Sequence, residues 1–234
     1  SAGISGYLAG TNLTTFGALN ASSYLGSQSL TGATTFYNLL VKPGAMLTVN
    51  SPCTILNDLT INTGTLALGS NLMQLRGNFV NNARYTDAAL ANTGIRLNGT
   101  IEQRLSGNGN FGRLELYNQY GARIENSINM EEDLVLTTGI FDINKFLLSL
   151  GLQSRVQGAP FSALKMIKSD GVFSDVGIRK FFPAGASPAF EYPIGTDGKY
   201  TPVTFTITAN NTVGYVRVNK INSQHPAVID PANA

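Results

Sequence analysis

The stretch "NDLTINTGTLALGSNLMQLRG" at 57–77 returns as "EDLVLTTGIFDINKFLLSLG" at 132–151. Asp58 and Asp133, Leu59 and Leu134, Thr63 and Thr138, Gly64 and Gly139, and Leu72 and Leu147 are each 75 residues apart. Upstream, Gln28, Leu30, Gly32, Phe36 and Leu39 reappear at the same separation as Gln103, Leu105, Gly107, Phe111 and Leu114. Between the two blocks the register slips by two residues, Ala45 and Leu47 answering to Ala122 and Ile124, and recovers at Asp58. Internal repetition constrains the fold strongly, because repeated units bury their apolar faces against one another rather than in one central core.

The local pattern says what the units are made of. From residue 36 to about 155 the apolar residues alternate: Leu39 and Val41, Leu47 and Val49, Leu59 and Ile61, Leu66 and Leu68, Leu114 and Leu116, Leu134 and Leu136, Phe141 and Ile143. Period two means strands with one buried face. No segment holds a helical apolar stripe for three turns, and Gly, Asn and Thr interrupt every candidate, so an all-β chain nearly without helix is predicted. The strands are short and end in Asn, Gly or Asn-Thr-Gly, residues that tolerate positive φ or bond their own backbone.

Taking Leu39/Val41, Leu59/Ile61, Phe79, Leu97, Leu114/Leu116 and Leu134/Leu136 as equivalent gives a spacing of roughly 17 to 20 residues, the scale of one coil of a parallel β-helix. Four such coils would make the 75-residue unit. A single coil cannot satisfy its own backbone donors and acceptors, so each internal coil needs a neighbour above and below. The expected architecture is a parallel β-helix or solenoid over residues 1–157, with copies of the repeat starting near 28 and 103.

After about residue 158 the texture changes, with more proline and longer alternating strands. Val203, Phe205 and Ile207, then Val216 and Val218, read as antiparallel strands joined across "ANNTVG", giving a β-sandwich-like module over 158–234. A modified continuation of the solenoid, its last coils interrupted by long loops, is the competing reading. "GTDGKYT" at 195–201 superficially matches a phosphate-binding loop but reads as a hairpin turn.

Bulk properties exclude several partners. Only 13% of the residues are charged and the formal net charge is +2. No run of Lys or Arg occurs, so neither a nucleic acid nor an anionic membrane is an expected partner. No apolar run approaches the about 18 residues of a membrane span, so no membrane insertion is expected. Cys53 is the sole cysteine; in "SPCTIL" it reads as a small inward hydrophobe. The start "SAGISG" and the end "HPAVIDPANA" read as a piece of something longer.

The motif "GTIEQRLSGNGNFGRLELYNQYG" followed by "EDLVLTTGIFDI", carried by Gly99, Gln103, Gly107, Phe111, Leu114, Asn118 and Gly121, resembles the very large secreted repeat proteins of Bacteroidetes. That group includes gliding-motility adhesins and other cargo of the type IX secretion system. The earlier copy supplies Gln28, Gly32, Phe36, Asn38 and Leu39. The segment "FFPAG...FEYPIGTDGKYTPVTFTIT" is similar to one that often follows such repeats, with Phe182, Pro183, Tyr192, Pro193, Gly195, Tyr200 and Pro202 in place. The resemblance covers roughly residues 26–208. It implies an extracellular or cell-surface β-rich protein that holds on to things.

A β-helical polysaccharide lyase or hydrolase needs carboxylates, often with a basic side chain, converging on one groove. The available acids are Glu131, Glu132, Asp133, Asp142, Asp170 and Asp175. Asp133 has a repeat partner in Asp58, and duplication favours a corner hydrogen bond over a unique active site. Glu131 and Glu132 are consecutive and cannot share one strand face. His225 is the sole histidine and lies beside Pro226, so a His-based metal site or triad finds little material.

Gln28 and Gln103 read as caps on corner backbone groups. Tyr117, Tyr120, Phe181, Phe182, Tyr192 and Tyr200 could stack on sugars or proteins, Phe182 and Tyr192 reading instead as packing between modules. No catalytic, cofactor-binding or metal residue is assigned and no cofactor is expected. The sequence points to a non-enzymatic structural or adhesive module, a stalk segment of a larger surface adhesin or filament. The alternative is a polysaccharide-active enzyme or carbohydrate-binding module. Expected partners are neighbouring repeats of the same long chain, end-to-end copies of itself, and surface glycans or proteins.

Overall fold

A computed structural model describes residues 3–4, 13–16, 27–42 and 46–223. Every regular element in them is a β-strand. Three sheets run parallel to a common axis, and the chain visits them in fixed rotation. One passage runs from Met46–Val49 on the first wall to Cys53–Ile55 on the second and Leu59–Ile61 on the third. It then returns to the first wall at Thr65–Gly69. The solenoid expected from the alternating pattern is therefore the observed fold.

Register explains why alternation builds this shape. On the second wall Phe36, Ile55, Leu75, Leu97, Leu116 and Leu136 stack as one column. On the third, Leu39, Leu59, Phe79, Leu105 and Ile124 do the same. All these side chains are buried and belong to one hydrophobic cluster. Like side chains in a column fill the interior without register conflict, while each strand exchanges backbone hydrogen bonds with the coils on either side. Cys53 lies within this core, as predicted, and burial pushes its thiol up to about 12.

The 75-residue repeat is not four coils. Strands on the first wall start at Ser27, Met46, Thr65 and Arg84, 19 residues apart, but the next starts at Asn110, 26 residues on. The corners of that coil, 88–93 and 98–102, hold the extra residues, about as many as one wall and its corner. A count of 75 therefore lands one wall early, after three and two-thirds coils. Gln28 is on the first wall and Gln103 on the third; Phe36 is on the second and Phe111 on the first. Leu59 is on the third and Leu134 on the second. The copies still serve, because the walls present the same alternating strand to the core and one can stand in for another.

Residues beyond 157 both continue and modify the stack. Phe141 pairs with Ile167, Leu147 with Gly177 and Ile167 with Ile194, all in parallel, so no break falls at the boundary expected between 157 and 158. Antiparallel strands are then built onto this end. Gly214–Val218 pairs with Gly177–Phe182, and Val203–Ile207 pairs with Ser187–Tyr192. The expected hairpin between Val203–Ile207 and Gly214–Val218 does not form; each joins a different partner. The two antiparallel pairs are linked by rings in a small sandwich-like arrangement: Phe182 against Phe190 at 6.1 Å, Phe190 against Tyr192 at 4.8 Å and Tyr192 against Phe205 at 5.9 Å. The Tyr192 hydroxyl donates to the Val216 carbonyl at 3.2 Å. The hairpin predicted from "GTDGKYT" is present, Thr196 facing Lys199 across a two-residue turn with Gly198 at φ +67°.

Candidate functional site

Corners between the first and second walls differ in length. Those at 112–113 and 131–133 are short, whereas 88–93 on one side and 151–155 on the other are longer, and 183–186 leads from the first wall into the antiparallel strand Ser187–Tyr192. Residues of these corners and of the adjoining antiparallel strand line a cavity of about 580 Å³. Its lining runs from Ala89 through Glu132, Asp133 and 152–155 to 180–183 and 186–190.

Each wall is fixed by identifiable bonds. The 88–93 turn is tied down by Asp87, whose Oδ1 accepts from the Ala89 amide at 2.7 Å and the Thr93 hydroxyl at 3.1 Å. Its Oδ2 accepts from the Arg113 amide one coil on, at 2.8 Å. Buried Arg113 donates from Nη1 to the Thr93 carbonyl at 2.8 Å. On the opposite side the Ser154 hydroxyl holds the 151–155 corner, donating to the Met130 carbonyl at 2.9 Å and accepting from the Gly151 amide at 3.0 Å.

Asp133 sits in the cavity wall with both oxygens occupied. Oδ1 accepts from the Arg155 amide at 2.8 Å, with the Arg155 Nε 3.5 Å away, and Oδ2 accepts from Gln157 Nε2 at 2.5 Å. Its repeat partner does the same job elsewhere: Asp58 Oδ1 accepts from the Asn78 amide at 2.7 Å. The corner role predicted from duplication is observed in both copies. Around it runs a ladder in which Asn38 Oδ1 takes the Asp58 amide and Asn78 Oδ1 takes the Arg104 amide.

Lys180 is 5% exposed, and its Nζ donates to the carbonyls of Gly151 at 2.5 Å and Leu152 at 2.8 Å. The ammonium also lies 5.8 Å from the Phe182 ring centre and 5.7 Å from that of Phe190. Burial pushes it down to about 8, opposed by the Asp133 charge and assisted by that of Arg155. Glu132 is different. It has no hydrogen bond or ion pair among the described residues, and partial burial together with Asp87, Asp133 and Glu131 pushes its carboxyl upward. Ser187, 8% exposed, borders the cavity, its buried Oγ without a hydrogen-bond partner among the described residues.

The other acids considered in the sequence lie apart from the cavity lining. Glu131 pairs with Arg84 at 3.0 Å and accepts from Asn110 Nδ2 at 2.8 Å. Asp142 pairs with Lys168 at 3.0 Å. Asp175 is buried, its Oδ2 accepting from the Gly171 amide at 2.6 Å and the Val172 amide at 3.2 Å. Asp170 has its carboxyl raised by burial, Asp142 and Asp175. Among the described residues no group of three or more His, Cys, Asp or Glu side chains is placed to hold a metal ion. His225 lies outside the described residues.

Gln103 is the predicted corner cap: its amide donates to the Leu75 and Gly77 carbonyls and its Oε1 accepts from the Gly99 amide. Gln28 does not repeat this, its Oε1 being buried without a partner among the described residues. Tyr117 and Tyr120 are more than half exposed, whereas Phe182 and Tyr192 are buried in the terminal ring layer, as predicted. Sequence reasoning missed Arg155, Lys180, Ser187 and Phe190. A signal existed for one: Lys180 falls on the inward phase of Ile178, Lys180 and Phe182 in Gly177–Phe182. Comparison of the chain with models of protein families, with characterised proteins and with solved structures gives no match.

Proposed function

We propose that this chain is a non-enzymatic structural and adhesive module, a stiff segment of a larger extracellular surface protein. The observation that carries the reading is the unbroken parallel ladder with a single apolar core from Leu30 to Ile194. A body whose every layer is hydrogen-bonded to the next transmits load along its axis and holds attached surfaces at a fixed distance. The resemblance of its repeat motifs to large secreted adhesins supports a location outside the cell.

The same end of the stack bears on self-association. The final coil is covered by antiparallel strands and a ring layer, so a second copy meets no open coil cross-section there.

A polysaccharide-active enzyme is the second reading, favoured by one observation: Glu132, with its raised carboxyl, lies in the same cavity as Asp133, Arg155 and Lys180. It is the weaker one. Acid–base cleavage of a glycosidic bond calls for two available carboxyl groups, and both oxygens of Asp133 are committed to holding the next coil. Incubation with a panel of polysaccharides, followed by reducing-end and unsaturated-uronate assays, is expected to show no turnover.

The stalk reading is tested by gold-labelled antibody, raised against this chain, applied to intact cells that make it. Gold standing off the cell surface is the expected outcome; labelling only after permeabilisation would remove the proposal.

A further inference from the structure

We propose that the cavity between the first and second walls is a binding site for a neutral saccharide, of the size of one or two sugar rings. The argument begins with what its groups still have to offer. Asp133 is spent on Arg155 and Gln157, and Lys180 on two backbone carbonyls. The lining side chains free to bond are the Glu132 carboxylate and the exposed Gln153 amide, whereas the Ser187 Oγ lies beneath the surface.

Charge then selects the ligand. The lining carries two acids, Glu132 and Asp133, and two bases, Arg155 and Lys180, so the site as a whole offers no excess of either sign. An anion would lie beside the one unpaired carboxylate and could reach only Arg155, already shared with Asp133 and 70% exposed. A cation would find Lys180 and Arg155 nearby. A neutral polyol meets neither penalty: its hydroxyls donate to Glu132 and exchange bonds with the Gln153 amide.

The remaining surface suits the other half of a sugar. Pro183, Ala186, Pro188 and Ala189 give exposed apolar surface for the C–H face of a pyranose, with Phe182 and Phe190 buried behind them. A volume of about 580 Å³ falls within the range of small-molecule sites, about 300–1,000 Å³. The assignment deepens the adhesive reading and rests on it for its biological use, since a stiff module with a glycan site can attach as well as project.

The test is saturation-transfer NMR and calorimetry on the whole chain with maltose, cellobiose, lactose and diacetylchitobiose, and with glucuronate and inorganic phosphate as anionic controls. At least one neutral disaccharide is expected to bind with a Kd in the millimolar range or tighter, roughly −4 kcal/mol or better. Ala186→Trp, on the exposed lip, fills the entrance without touching the core and is expected to weaken binding at least tenfold. Glu132→Gln is expected to weaken it several-fold, with unchanged thermal melting as the check on folding. The proposal is overturned if none of the four disaccharides binds, if only glucuronate or phosphate does, or if Ala186→Trp leaves affinity intact. Each of those outcomes leaves the gold-labelling test of the stalk untouched, so the two ideas fail separately.

Discussion

Asp58 and Asp133 show how one residue type can be repeated for a single physical purpose. Each precedes a strand and accepts the amide of the residue before the stacked strand of the next coil, Asn78 in one case and Arg155 in the other. The surroundings differ. The Asp58 bond is exposed, whereas Asp133 is 8% exposed and carries two further interactions. Loss of a solvent-accessible bond costs about 0.5–1 kcal/mol, and loss of part-buried bonds to a charged carboxylate about 1.5–3 kcal/mol. Urea unfolding should therefore show Asp133→Ala distinctly less stable than Asp58→Ala; equal losses would contradict the assigned roles.

Lys180 gives a pH signature. Its unfolded value is about 10.4 and its folded value is lowered to about 8. Between the two, the unfolded chain holds a proton that the folded chain has released. Stability therefore rises as pH climbs from about 8 to about 10.4, and the burial penalty is fully present below 8. The gain is on the order of 3 kcal/mol at most. The wild type should gain stability over this window relative to Lys180→Met, read as the difference between their urea midpoints at pH 7.5 and 10; parallel pH profiles would refute the lowering.

At the scale of elements, the terminal ring layer is the part that differs from a plain coil. Tyr192 is fully buried between Phe190 and Phe205 and bonds the Val216 carbonyl. Truncation of such a ring costs about 3–5 kcal/mol. Tyr192→Ala is expected to lose that much in denaturant titration and to raise the tendency to self-associate in light scattering, because it uncovers the last coil. A strictly monomeric, nearly wild-type variant would show that this layer does not protect the end.

How far the elements were legible follows from what each signal measures. Alternation reveals the strands, because the inward phase of most of them is apolar. Duplication of Gly32 and Gly107 was equally telling, as both take positive φ, at +88° and +107°. Coil number is not legible in the spacing, because a repeat counted in residues is blind to the long corners of the 84–110 coil. The pairing of Val203–Ile207 and Gly214–Val218 was misjudged because adjacency in sequence favours a hairpin, and here each strand finds an open partner edge instead. The cavity was illegible as a whole: its lining comes from corners of separate coils, brought together only by stacking.

For the whole molecule the decisive property is continuity. Amides of Leu134, Phe141 and Ile167 donate to carbonyls of the following coil, at Arg155, Met166 and Pro193, and the Phe141 bond crosses the position where the texture of the sequence changes. Parallel pairing then carries Ile167 onto Ile194 and Leu148 onto Ile178. A stalk needs this, since an independent second unit would hinge at the junction and transmit no load. Native-state hydrogen exchange followed by mass spectrometry measures it directly. The account requires the amides of Ile167, Ile178 and Ile194 to open together with those of Leu114 and Leu134, in one cooperative unit of equal protection. Separate, faster opening of everything after residue 157 would contradict it.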